Sequence, residues 1–157
     1  MTTAVERTGY RSPPWMPRTL LGVTWFNFGT ALIGAAGLMS GRMPDLGLPL
    51  DLLDGSGFPD YFWPGVILAV VVGGTQLLPL LACRARYAAA WGLYAVAGFG
   101  MLIWIFIETG IIGGQSPLQV LYFTTGVAQI VLVLLILGAW PRPLLRRQPG
   151  VRQPSSK

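Results

Sequence analysis

Residues 64–83 read PGVILAVVVGGTQLLPLLAC, twenty positions without one charged side chain. A helix needs about 20 apolar residues to cross the ~30 Å hydrocarbon core of a bilayer. The stretch therefore predicts a membrane-spanning helix. Pro64 suits its first position, where a missing N–H costs nothing, and it disfavours a helical Trp63. The preceding FPDYFW, residues 58–63, places Tyr61 and Trp63 where an interfacial aromatic belt sits.

Working outward, three more apolar runs have the same length. They cover about 19–39, 87–108 (or on through Ile112) and 118–140. The sequence thus predicts an all-α, four-helix transmembrane bundle with antiparallel up-down topology. Residues 1–18 read as a flexible segment, 19–140 as the membrane domain and 141–157 as a basic tail. The three residues RAR leave room only for a helical hairpin between the second and third spans. The connection 40–63 is long and carries LGLPLDLLDGSGFPDY, apolar enough to lie on the membrane surface or fold over the helix ends.

Composition agrees. The chain is 53% hydrophobic and 11% charged, where soluble domains carry about 25% charged residues. The first span follows Arg7, Arg11 and Arg18, as a signal peptide would, but it is longer than a signal h-region and GLMSGRMP is a poor cleavage site. It reads as a retained helix.

The net charge of +5 has a sided distribution. Arg7, Arg11, Arg18, Arg84, Arg86, Arg142, Arg146, Arg147, Arg152 and Lys157 fall on one side of the predicted membrane. Arg42 stands alone on the other, with Asp45, Asp51, Asp54 and Asp60. The positive-inside rule then places both termini in the cytoplasm, N-in and C-in. The basic residues read as topology signals and contacts to anionic lipids, not as a nucleic-acid surface. One lysine against ten arginines, with abundant Ala, Gly and Pro, points to a GC-rich bacterial genome and hence to a bacterial cytoplasmic membrane.

Polar residues inside spans are few and informative. Asn27 shares a helical face with Thr24, Ala31 and Gly34. Gly65, Ala69 and Gly73 are four apart, and Gln76 and Leu80 continue their stripe. Gln129 shares a face with Tyr122, Thr125 and Gly126. Small residues let helices approach, and amides hydrogen-bond between them. Asn27, Gln76 and Gln129 are therefore the candidate intramembrane contacts. Counted from the predicted span ends, Asn27 and Gln76 lie at similar depth and Gln129 nearer the middle.

Glu108 is the one charged side chain that a predicted span can take in. If its helix stops there, it is interfacial; if the helix runs through Ile112, it is one turn inside. With Asp60, Arg42 and Tyr122 it defines a candidate polar cavity on the outer side.

Several chemistries are excluded. There is no histidine, the commonest general base and metal ligand. Cys83 is the only cysteine, so an intrachain disulfide, the common zinc clusters and CxxC redox pairs are excluded. Every serine falls in a predicted loop or tail. The loop acids DLLDGSGFPD lack EF-hand spacing. No cofactor or metal is expected. Small multidrug exporters share the span count but place a glutamate in the first span, where this chain has Asn27. Quinone-linked disulfide-forming enzymes need paired cysteines.

FPDYFWPGVILAVVVGG and WIFIETG carry a resemblance across the second and third spans. The layout resembles small uncharacterised four-helix membrane proteins of high-GC Gram-positive bacteria, and that resemblance implies no activity. The expected role is non-enzymatic: an accessory or interaction subunit, or a homo-oligomer, acting through helix contacts. The alternative is transport or sensing of a small molecule, ion or lipid through the outer cavity near Glu108.

Overall fold

The computed structural model describes residues 12–112 and 116–138. Residues 1–11 and the predicted basic tail 141–157 lie outside the described residues. Four helices account for the fold, with no strand among the described residues: Trp15–Met39, Phe62–Arg84, Ala90–Ile112 and Pro117–Ile136. All four are long and apolar enough to cross a membrane. The first packs against the second and fourth, the second against the third, and the third against the fourth.

Helix ends differ from the sequence expectation for local reasons. The first helix starts at Trp15, not at residue 19, directly after Pro13 and Pro14. Trp15 to Arg18 therefore leave the predicted flexible segment. The helix stops at Ser40, with Gly41 in the left-handed region at φ 71°, the usual glycine stop. The second helix starts at Phe62, so Trp63 is helical after all. Asp60 Oδ1 accepts the Phe62 N–H at 2.9 Å. Pro64 then sits in the first turn, where N–H groups have no intrahelical partner to lose. The third helix continues through Ile112, which puts Glu108 one turn inside it. The fourth opens on a capping box: Ser116 Oγ accepts the Gln119 N–H at 3.3 Å, and Gln119 Oε1 accepts the Ser116 N–H at 3.0 Å. It ends at Ile136, short of the expected residue 140; residues 139 and 140 lie outside the described residues.

The second helix is not uniform. Residues Leu68–Gly73 form a π-helical stretch, and Pro79 lies in the helix interior. A π turn takes up more residues than an α turn. Positions four apart therefore drift less around the axis, which helps hold Gly65, Ala69 and Gly73 against the first helix. The turn after this helix places Arg86 at φ 60°, a conformation that costs a non-glycine residue.

Close approach is built on glycine at two crossings. A Cβ on Gly98 would meet Ile130 Cγ1 at 2.8 Å and the Gly126 carbonyl at 3.0 Å. A Cβ on Gly65 would meet Met39 Cγ at 2.8 Å and the Ala35 carbonyl at 3.0 Å. Two apolar clusters fill the bundle. Leu20, Tyr94, Leu132 and Val133 form one, towards the Arg84 turn. Ala31, Val72, Met101 and Ile105 form the other, towards the long loop.

The loop folds back on the bundle. Its Leu50–Leu53 turn packs against the third helix, and Leu53 is buried. Tyr61 is buried too, and its hydroxyl donates to the Pro49 carbonyl at 2.8 Å. Burial pushes the phenol pKa up, so the donor keeps its proton through the neutral range. Tyr61→Phe is expected to cost about 1 kcal/mol and to speed amide exchange across residues 49–61. Unchanged exchange would show that the tether does not hold the loop.

Candidate functional site

Between the two apolar clusters each helix contributes to one polar layer. Thr24, Asn27, Gln76 and Gln129 are all fully buried. The orientation of every amide follows by elimination. Gln76 Nε2 donates to the Ala97 carbonyl at 3.2 Å, which can only accept. That fixes the Gln76 amide, whose Oε1 takes the Gln129 Nε2 at 2.8 Å while Nε2 returns a bond to Gln129 Oε1 at 3.1 Å. The two glutamines thus form a closed amide pair between the second and fourth helices. The other Gln129 N–H goes to Thr24 Oγ1 at 2.9 Å, whose own proton is committed to the Leu20 carbonyl at 2.8 Å. Asn27 Nδ2 completes the set on Gln129 Oε1 at 3.2 Å.

Gln129 therefore uses both amide protons and both lone pairs of its oxygen. It lies level with Asn27 and Gln76, not nearer the middle. With the fourth helix ending at Ile136, it stands about two turns from that end, as Gln76 does from Arg84. Asn27 Oδ1 is the one buried side-chain polar atom among the described residues without a hydrogen-bond partner.

The layer holds neutral amides and one hydroxyl, with an apolar cluster on either side. It contains no group that titrates near neutral pH. Hydrogen bonding and register are what it offers chemically.

Of the four candidate outer residues, Asp60 alone walls either of the two recesses described below. Glu108 is half-buried on the third helix, near the side chains of Trp104 and Gln119. Gln119 is itself buried and caps the fourth helix. Its role was legible in Ser116-x-x-Gln119, a capping-box spacing ahead of an apolar run. Tyr122 stacks on Phe26, centroids 6.3 Å apart, and packs on the apolar cluster nearer the loop. Arg42 is exposed.

Two of the recesses on the surface of the described residues bear on the site. One, of about 430 Å³, lies between the third and fourth helices and is walled by Ile105, Phe106, Thr109, Gln119, Val120 and Phe123 among others. The other, of about 380 Å³, lies under the loop, and Asp60 is one of its walls. Glu108 is a wall of neither.

Gly65 and Gly73 are buried and Ala69 half-buried against the first helix, so this stripe serves contacts within the chain. Gly22 and Gly29, on the first helix, have nothing within 4 Å of a Cβ position. Trp25 and Ile33 beside them are exposed.

The fold defines the class: four apolar helices of bilayer-spanning length, as in a multi-pass membrane protein. No protein-family model, no curated protein and no solved structure matches the chain.

Proposed function

We propose that the chain is a non-enzymatic, multi-pass protein of a bacterial cytoplasmic membrane that acts through helix contacts, as an accessory subunit or as a homo-oligomer. Its helices run up and down with both termini inside. Arg18, Arg84 and Arg86, all exposed, meet anionic lipid headgroups on the inner side. One observation carries the reading: the polar groups at the centre of the bundle bond one another and are closed off on both sides by apolar clusters. Such a layer favours a rigid scaffold over a path for solutes. The partner surface is the outer face of the first helix, where a Cβ on Gly22 or Gly29 would meet nothing within 4 Å.

A photo-crosslinking side chain at Ile33, which is 74% exposed, tests this in native membranes. One discrete adduct, with a second copy or with another membrane protein, is the expected result. A bare monomer in mild detergent together with no adduct at Ile33 would count against the reading. A second reading, ligand binding on the outer side, is favoured by the recess beside Asp60.

A further inference from the structure

The recess under the loop differs in chemistry from the rest of the surface. Leu38 and Met39 from the end of the first helix, Leu50 from the loop, and Asp60, Tyr61 and Phe62 at the start of the second helix wall it. Its volume of about 380 Å³ falls among small-molecule sites, which span about 300–1,000 Å³. Asp60 is the one charged wall, and no basic side chain is among them.

The walls are held in place. Asp60 Oδ1 accepts the Phe62 N–H at 2.9 Å, which fixes the carboxylate and leaves its second oxygen to a ligand. Tyr61 is tied to the loop through the Pro49 carbonyl. Phe62 is 46% exposed and meets Trp63 edge to face, with centroids 5.8 Å apart. The rest of the loop adds exposed Asp45, Asp51 and Asp54 against one arginine, Arg42. A surface of that sign concentrates cations.

We infer that this recess binds a small organic cation, an ammonium group on an apolar body. The ammonium meets Asp60, and the apolar body lies against Leu38, Leu50 and Phe62. Asp60 is exposed, so it supplies a charge-assisted contact at the mouth of the recess, and the apolar walls supply burial for the rest of the ligand. An aromatic face adds a cation–π contribution. A neutral isostere of the same shape forfeits the charge-assisted contact and the cation–π contribution, and an anion is repelled. The inference rests on the outer-side ligand reading and is independent of the accessory-subunit one, so crosslinking at Ile33 and ligand binding fail separately.

The test is calorimetric titration of the purified full chain in a non-ionic maltoside with 2-phenylethylammonium, 2-phenylethanol and 3-phenylpropionate. The ammonium is expected to bind at least roughly tenfold tighter than the alcohol, as a charge-assisted contact should, with the carboxylate weakest. Asp60→Asn keeps a capping oxygen and should lose that preference. Leu50→Trp fills the recess from an exposed position and should abolish binding with helicity unchanged. Added phosphatidylethanolamine should leave the affinity unchanged; displacement would reassign the site to a lipid headgroup and overturn the inference. Equal binding of ammonium and alcohol, or an Asp60→Asn protein that binds as the parent does, would also overturn it.

Discussion

Gln129→Leu is expected to destabilise the bundle by about 2–3 kcal/mol, several times the average of roughly 0.6 kcal/mol for one interhelical hydrogen bond in a membrane. The reason is its position at the hub. The substitution removes the partner of Asn27 Nδ2, of the Gln76 amide and of Thr24 Oγ1 together. What is left is a set of buried polar groups in an apolar setting, where each unpaired group costs about 1–3 kcal/mol. Thr24 is spared the full cost, because its hydroxyl still donates to Leu20.

The sharper test is a comparison with the triple replacement of Asn27, Gln76 and Gln129 by leucine. That variant strands no side-chain amide and fills the layer with apolar volume. It is expected to recover most of the lost stability, since removing both partners costs far less than removing one. Detergent-titration unfolding followed by circular dichroism measures both. A single variant as stable as the parent would mean that the layer contributes nothing. A triple variant worse than the single one would mean that the polar contacts themselves, rather than the cost of stranding them, hold the helices.

The second large effect is expected at Gly98. Even alanine places a Cβ 2.8 Å from Ile130 Cγ1 and 3.0 Å from the Gly126 carbonyl. A side chain can turn away; a backbone oxygen in a packed helix moves only with its helix. Gly98→Ala is therefore expected to cost about 1–3 kcal/mol, the range for overpacking. Gly98→Leu should force the third and fourth helices apart and shift the Ala97 carbonyl that anchors Gln76. Gly92 on the same helix is the control, because its Cβ position has nothing within 4 Å. Gly92→Ala should be neutral or stabilising by up to about 1 kcal/mol, the helix-propensity difference. Equal effects at the two glycines would remove the close crossing from the account.

Much of the fold was legible in the chain. The four apolar runs mark four helices, because transfer from water to hydrocarbon is set by local composition. The boundaries were less legible. Phe62 rather than Pro64 opens the second helix because a side chain two residues upstream, Asp60, supplies the missing acceptor. The third helix runs past Glu108 to Ile112. Asn27, Gln76 and Gln129 were recognisable one by one, as amides in apolar helices. The shared depth of Asn27 and Gln76 was legible too; that of Gln129 was not, because depth counted from a span end inherits any error in that end, and the fourth helix ends at Ile136.

What the sequence determined by itself is a set of four helices apolar enough to cross a membrane and the identity of the few polar groups that must be satisfied within them. Both follow from residue chemistry, position by position. The tertiary structure alone decided which groups satisfy which. Asn27 and Gln129 are 102 residues apart in the chain and 3.2 Å apart in space. The same holds for Asp60 and Glu108: Asp60 walls the recess under the loop, and Glu108 is not among its walls. Helical periodicity states which face a residue occupies, but the partner across that face is set by how whole helices approach. Here that approach depends on Gly98 and Gly65 at the crossings and on the π stretch in the second helix.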